Sequence, residues 1–288
     1  MTSEYTKSWA GSAAVAYVSL SSGRRLRYLK SGSGPPLLLM HTLRTQLDYF
    51  QRLIPLLTAR LTVYAVDLPG LGWSEIRPGG AYDEPAVRRD LIELIQHLGL
   101  EDLTLAGDSM GATLALSIAA DLGPTIRRVV AVNTYDYPQG VERANTLASL
   151  LVKMMRVPVV GLVPAILENE PILAGILKGG FHDSRKLPKD FVKELVRSGS
   201  RAGYPVVATA YVRSLESFMA ARQVYGRVRA PVTLVYGAYD WSKPSEREAV
   251  AELVPRNRML ILPNAGHFAS LEQPGEVAGI ILDTSAEP

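Results

Sequence analysis

Gly107-Asp108-Ser109-Met110-Gly111 joins a β-type apolar run, Leu103 to Ala106, to a helical pattern that begins at Ala112. A strand, a sharp turn and a helix around Gly-x-Ser-x-Gly form the setting in which a serine hydroxyl is raised above a sheet as a nucleophile. The two glycines leave room where strand end and helix start crowd together, so Ser109 can take a strained backbone conformation. Such a hydroxyl needs a base to remove its proton and a third group to orient that base. Two later loops offer them: Gly237-Ala-Tyr-Asp240-Trp-Ser and Asn264-Ala-Gly-His267-Phe each follow a short apolar run. The order serine, acid, histidine is the one expected of a sheet that gathers these loops at one edge. In these roles His267 takes the Ser109 proton and later gives it to the leaving group, while Asp240 orients the imidazole and stabilises its positive form. Taken singly, such a histidine is more often a packing or surface residue, and such an aspartate a turn cap. Asp136, in Asn133-Thr-Tyr-Asp136-Tyr after another apolar run, is the competing acid. Its other reading is a residue that orients the entrance to the following helical block, or a solvated one.

A tetrahedral oxyanion also needs donors. The amide of Met110, directly after the nucleophile, is the first. The amide of Leu43, in His41-Thr42-Leu43-Arg44 after the run Leu37 to Met40, is the second, with Thr42 as the neighbouring alternative. His41 is read as holding that loop through hydrogen bonds rather than as the general base. Arg44 can reach a substrate carbonyl or carboxylate, or form an ion pair at a hinge. Thr42, His182 and Trp241 complete the candidate substrate contacts, although a local loop hydrogen bond is the plainer role for His182.

The elements that must position these groups alternate. Strands are expected at Ala14 to Ser21, Arg24 to Leu29, Leu37 to Met40, Leu61 to Val66, Leu103 to Ala106, Arg128 to Val132, Val232 to Tyr236 and Arg258 to Leu262. Helical periodicity links them at Gln46 to Ala59, Glu84 to Leu98, Ala112 to Ala120, Pro244 to Leu253 and Glu276 to Ile281. Repeated βα units imply an α/β fold with a mostly parallel sheet covered on both sides, its opening hairpin giving an antiparallel edge. Between Asn133 and Gly226 the strands stop. Helices are expected at Val141 to Met155, Val159 to Leu167, Ile172 to Lys178, Pro188 to Arg197 and Tyr204 to Leu215. The chain therefore divides into a core over 1–133 and 227–288 and an inserted all-helical cap over 134–226. Asp283 to Pro288 is expected to fray.

The composition narrows the partners. Thirty-one basic residues against twenty-eight acidic ones leave a net charge of +3, which gives no case for nucleic acid. No cysteine is present, so disulfides, thiolate metal sites and a cysteine nucleophile are excluded. This agrees with a reducing compartment, and with no basic, apolar leader pattern at the start the expected location is the cytoplasm. Val157 to Leu177 is apolar but broken by Pro158, Pro164, Pro171, Glu168 and Glu170, so no integral membrane segment is expected. The four histidines, at 41, 97, 182 and 267, form no zinc-binding string, and no Walker or dinucleotide glycine motif occurs. The expectation is an enzyme without cofactor or metal, with a small-molecule partner; its oligomeric state is not encoded in these patterns.

Together with Asp67-Leu-Pro-Gly-Leu-Gly-Trp-Ser74, these motifs resemble the α/β-hydrolase fold superfamily, in particular bacterial serine hydrolases with a helical cap. The resemblance covers nearly the whole chain. It implies Ser109, Asp240 and His267 as the triad and Leu43 and Met110 as oxyanion donors. Family members commonly have His-Gly where this chain has His41-Thr42, which implies a different backbone path in that loop. Members with aspartate in place of the elbow serine dehalogenate or open epoxides, and Ser109 argues against both. The leading expectation is hydrolysis of a small or medium, largely apolar carboxylic ester through an acyl-enzyme, with apolar cap segments lining the pocket. The alternatives are carbon-carbon bond hydrolysis of a ketone from aromatic breakdown, a polyketide-tailoring hydrolase or acyltransferase, and a non-catalytic small-ligand receptor.

Overall fold

The computed structural model describes residues 3–158 and 160–283. Eight apolar runs form one sheet: β1 (Ala14–Ser19), β2 (Arg25–Ser31), β3 (Pro36–Met40), β4 (Thr62–Val66), β5 (Leu103–Asp108), β6 (Ile126–Val132), β7 (Val232–Gly237) and β8 (Asn257–Leu262). They lie in the order β1-β2-β4-β3-β5-β6-β7-β8. The β1–β2 and β2–β4 pairs are antiparallel, and all the other neighbours are parallel. Every strand is one the sequence marks, with ends that move by no more than two residues. β5 and β7 are buried at every position, because helices cover both faces of a parallel sheet. Strand alternation feeds two apolar layers. Leu38 and Met40 join one, while Leu37 and Leu39 join the other.

The helices around the core are α1 (Glu4–Ala10), α2 (Ile54–Leu57), α3 (Glu84–His97) and α4 (Met110–Leu122), then, past the insertion, α11 (Pro244–Leu253), α12 (Ala269–Glu272) and α13 (Pro274–Leu282). Three differ from the sequence expectation, one of them the four-residue α12 that lies before the expected final helix. The helix expected at Gln46 to Ala59 is a 3₁₀ turn, Leu47–Phe50, followed by the short α2. Pro55 lies in the first turn of α2, where a missing N–H is harmless, so the helix starts there rather than running through. The Leu47 amide instead donates to Asp67 Oδ1 at 2.7 Å. α1 has no apolar periodicity strong enough to announce it. It is fixed by tertiary polar contacts: Thr6 Oγ1 and Trp9 Nε1 each donate to Asp48 Oδ1 at 2.7 Å. The same Asp48 pairs with the fully buried Arg27, which also faces Asp67.

Between β6 and β7 the inserted region is helical throughout: α5 (Thr146–Arg156), α6 (Leu162–Ile166), α7 (Glu170–Lys178), α8 (Lys189–Gly199), α9 (Tyr204–Arg213) and α10 (Leu215–Ala220). The stretch from Val141 divides, because the Asn145 side chain accepts the Ala148 amide at 2.9 Å and starts a new helix. Val159, the expected start of the next helix, lies outside the described residues, as do Thr284 to Pro288 of the expected frayed tail. Among the described residues no helix is long and apolar enough to cross a membrane.

Candidate active site

The strand-to-helix turn forces Ser109 to φ 59° and ψ −116°, a region that costs a non-glycine residue about 1–3 kcal/mol. Its surroundings fix it there. The Ser109 amide donates to the Val132 carbonyl at 2.8 Å, and its own carbonyl accepts the Ala112 and Thr113 amides at 3.0 Å each. Gly111 is obligatory for space, since a Cβ there would sit 1.9 Å from the Met40 carbonyl oxygen. The close approach of α4 to the end of β3 is therefore built into the motif.

Three loops at the carboxyl ends of parallel strands converge on this turn. His267 Nε2 lies 2.8 Å from Ser109 Oγ, and His267 Nδ1 lies 2.5 Å from Asp240 Oδ1. The side chains of His267 and Asp240 are fully buried, and Ser109 is 1% exposed. Burial pushes the Asp240 carboxyl up, but His267, together with hydrogen bonds from Ser242, outweighs it and holds the carboxyl below its ordinary value. The Ser242 amide donates to Asp240 Oδ2 at 3.0 Å, the Ser242 hydroxyl donates to the same oxygen, and Arg247 Nε holds that hydroxyl at 2.8 Å. An ionised Asp240 accepts from Nδ1–H, which leaves the Nε2 lone pair facing the serine hydroxyl.

Further side chains brace the imidazole. The Trp241 indole stacks on it with centroids 3.7 Å apart and planes 14° apart, and Trp241 Nε1 donates to the Gly179 carbonyl of the inserted region at 3.0 Å. Trp241, a candidate substrate contact by sequence, thus has its face against His267. By sequence Asn133 is only the residue after β6, at the start of the segment that carries Asp136, yet it is central. It adopts φ 50°, its Nδ2 donates to the carbonyls of Gly266 and His267 at 3.0 and 2.9 Å, and its Oδ1 accepts the Gly237 amide at 2.8 Å. It therefore ties the Asp240 and His267 loops to the strand beside the elbow. Glu272 holds the histidine loop from the other side by accepting the Gly266 amide at 2.8 Å. The one signal for Asn133 was its type, since asparagine tolerates left-handed backbone better than most residues.

Asp136 does not join this constellation. Its carboxylate accepts Tyr225 Oη at 3.0 Å and Thr134 Oγ1 at 3.2 Å, and burial raises its pKa to about 6. Asp108, beside the serine, is likewise raised to about 6 by burial, although Ser270 and Tyr49 donate to it. Above an ordinary value of 3.8, the unfolded carboxyl releases a proton that folded Asp136 keeps until about 6. The stabilisation from this group is complete below that lower value and is lost as pH rises through about 6. Asp136→Asn should remove this group's share of the decline and leave that of Asp108. Thermal unfolding at pH 4 and pH 7 should show a difference smaller than in the wild type by about a few degrees. An equal difference in both proteins would refute the assignment.

The loop His41-Thr42-Leu43-Arg44 departs from the family's common His-Gly pattern in an informative way. Thr42 does not adopt positive φ; the left-handed position falls on Arg44, at φ 62°. His41 is fully buried and burial lowers its pKa to about 4, so it is neutral at neutral pH. Its Nε2 accepts the Leu68 amide at 2.9 Å, which puts the proton on Nδ1, and Nδ1 donates to the Thr42 carbonyl at 2.8 Å. Thr45 Oγ1 donates to the same carbonyl at 2.8 Å. Thr42 is thereby turned into an anchor of the loop. Neither the Leu43 nor the Met110 amide has a hydrogen-bond partner among the described residues. Met110 is also the first residue of α4, where the helix dipole favours negative charge.

Leu43 borders a cavity of about 80 Å³ between core and inserted helices, lined by apolar residues such as Leu71, Val152, Met155, Ile172 and Ile176. Arg44 also lines it, but its guanidinium is paired with Glu168. His182 is exposed, stacks on Tyr239 with centroids 3.9 Å apart, and is not among the residues lining the cavity. Of its two sequence readings, substrate contact and local loop hydrogen bond, the second has a counterpart here, since the His182 amide donates to Glu272 Oε2 at 3.1 Å. Among the described residues, no group of three or more histidine, cysteine, aspartate or glutamate side chains is arranged to hold a metal ion.

An eight-stranded sheet with this strand order, a helical insertion after β6 and a serine elbow after β5 define a recognisable class. Residues 33–280 match the Alpha/beta hydrolase family model, and the chain belongs to that family. Haloalkane dehalogenase 2 of Mycobacterium tuberculosis is 25% identical over 279 residues, covering 91% of this chain and 92% of the relative. Among solved structures, Cfl2 from Burkholderia cenocepacia superposes with a TM-score of 0.81 at 21% identity, over 93% of this chain and 94% of the other. The epoxide hydrolase CorEH gives 0.80 at 23% identity, over 94% and 97%. At these identities the two structures share the fold.

Proposed function

We propose that this protein is a serine hydrolase that cleaves small or medium, largely apolar carboxylic esters through an acyl-enzyme. The observation that carries the reading is the buried chain Ser109 Oγ, His267 Nε2, His267 Nδ1, Asp240 Oδ1, with links of 2.8 and 2.5 Å. His267 removes the hydroxyl proton as Ser109 attacks the ester carbonyl, and the oxyanion is met by the amides of Leu43 and Met110. The imidazolium, stabilised by Asp240, protonates the departing alcohol. Water then repeats the sequence on the acyl-enzyme with His267 as base, and the acid leaves. The cap, over residues 134–226, supplies the apolar wall of the substrate pocket, against a core over 1–133 and 227–288.

The names of the relatives raise two other reactions, dehalogenation and epoxide opening. A carboxylate nucleophile attacking such a carbon leaves an ester that water can cleave. Ser109 would leave an ether, which this machinery cannot hydrolyse, so the side-chain chemistry favours a carbonyl substrate. The engagement of Arg44 by Glu168 counts against the carbon-carbon hydrolase reading, which would use a free guanidinium for a substrate carboxylate.

Purified protein should turn over p-nitrophenyl esters of short and medium acids with higher kcat/KM than long triglycerides, since the cavity beside Leu43 is walled by side chains of the inserted helices such as Val152, Met155, Ile172 and Ile176. The same panel includes lactones and ketone cleavage substrates. A higher kcat/KM for a ketone cleavage substrate would overturn the ester assignment.

A further inference from the structure

Among the described residues, Arg44 and Glu168 are the only charged side chains lining this cavity, and both are mostly buried, with 17% and 13% of the side chain exposed. The guanidinium is fully engaged. Nε donates to Glu168 Oε2 at 3.0 Å, Nη2 pairs with Glu168 Oε1, and Nη1 donates to Tyr204 Oη at 2.9 Å. Its face lies 4.7 Å from the centre of the Tyr204 ring. Two-pronged contact from one carboxylate is the geometry with which arginine recognises a carboxylate ligand. Arg44, Ala165 and Glu168 also line a second groove of about 390 Å³, so the ion pair forms part of the partition between the two.

We infer that Glu168 is a specificity-determining residue: it occupies on Arg44 the place a substrate carboxylate would take, and so reserves the pocket for uncharged chains. The inference deepens, and rests on, the reading of Ser109 as an ester-cleaving nucleophile. The cation sits one residue beyond Leu43, on a backbone set at φ 62°. Tyr204 and the Leu195 carbonyl continue to hold the guanidinium when Glu168 loses its charge. Neutralising Glu168 therefore leaves a poorly solvated cation at the cavity wall, and an incoming carboxylate compensates it. An anion approaching the native pair meets a site already filled and a like charge.

The test compares p-nitrophenyl hexanoate with the mono-p-nitrophenyl ester of adipic acid, which matches it in carbon count but ends in a carboxylate. In Glu168→Gln the ratio of kcat/KM for the anionic over the neutral ester should rise about tenfold or more, as expected for one charge-assisted hydrogen-bond pair. It should fall back in the double variant with Arg44→Gln. An unchanged ratio in Glu168→Gln, or a rise that persists in the double variant, overturns the inference. Glu168→Ala serves the same comparison if the glutamine variant fails to fold. A second arm needs no turnover: calorimetric titration with hexanoate and hexanamide, where Glu168→Gln should gain hexanoate affinity alone by a similar factor. Gained hexanoate affinity in a protein that cleaves no ester would sink the proposed function and leave the Glu168 assignment standing. Ester cleavage with neither ratio nor affinity altered would sink the Glu168 assignment alone.

Discussion

Ser109→Ala is expected to lower kcat/KM for an aryl ester by on the order of 10⁴- to 10⁶-fold, the loss seen when a nucleophile of this kind is removed and only binding and oxyanion donors remain. The hydroxyl is 2.8 Å from His267 Nε2 and 1% exposed, so its removal leaves the imidazole facing no hydroxyl at that position. A fluorophosphonate probe should label the wild type stoichiometrically at Ser109 and leave the alanine variant unlabelled. Folded wild-type protein that resists the probe would remove the activated serine and with it the acyl-enzyme. The same sample should not release halide from a haloalkane or open an epoxide, because an ether at Ser109 is a dead end. Turnover of either substrate that survives Ser109→Ala would place that chemistry elsewhere in the chain.

The central strands β3 to β7 were legible as short apolar runs buried over most of their length, and most strands of the sheet end in a turn carrying glycine, asparagine or aspartate. The three loops carrying Ser109, Asp240 and His267 could be read for the same reason, since each follows a short apolar run and the topology brings their ends together. What could not be read acts through space rather than along the chain. Asn133 braces two loops more than a hundred residues away, and nothing in its local sequence announces that. Ser242 looks like an ordinary turn residue beside Asp240 until Arg247 is seen orienting its hydroxyl. α1 depends on Asp48 and the buried Arg27, so its periodicity carries little information. The replacement of glycine by Thr42 pointed to an altered loop but not to its form. The loop accommodates a threonine there because its left-handed residue is Arg44, while its path is held by His41 and Thr45 on the main-chain carbonyl of residue 42.

Asp240→Asn is expected to reduce kcat for ester acylation by about 10³- to 10⁴-fold, while Asp136→Asn changes it by less than about tenfold. Both residues follow parallel strands at the same sheet edge, and both are buried, so position alone does not separate them. Their partners do. Asp240 Oδ1 is 2.5 Å from His267 Nδ1, and the imidazole with Ser242 keeps the carboxyl below its ordinary pKa. Asp136 accepts hydrogen bonds from Tyr225 and Thr134, and burial drives its pKa up to about 6. A carboxylate that is to stabilise an imidazolium must stay ionised while the proton moves, which fits the first environment and not the second. An asparagine at 240 can present its amide N–H to Nδ1 and so favour the tautomer with its proton on Nε2, facing the serine and unable to accept. The loss should therefore ease as pH rises and hydroxide competes for the serine proton. Pre-steady-state measurement of p-nitrophenol release gives the acylation rate directly for both variants. A larger fall in Asp136→Asn than in Asp240→Asn would reassign the acid to β6 and make the contact between Asp240 and His267 a matter of loop packing.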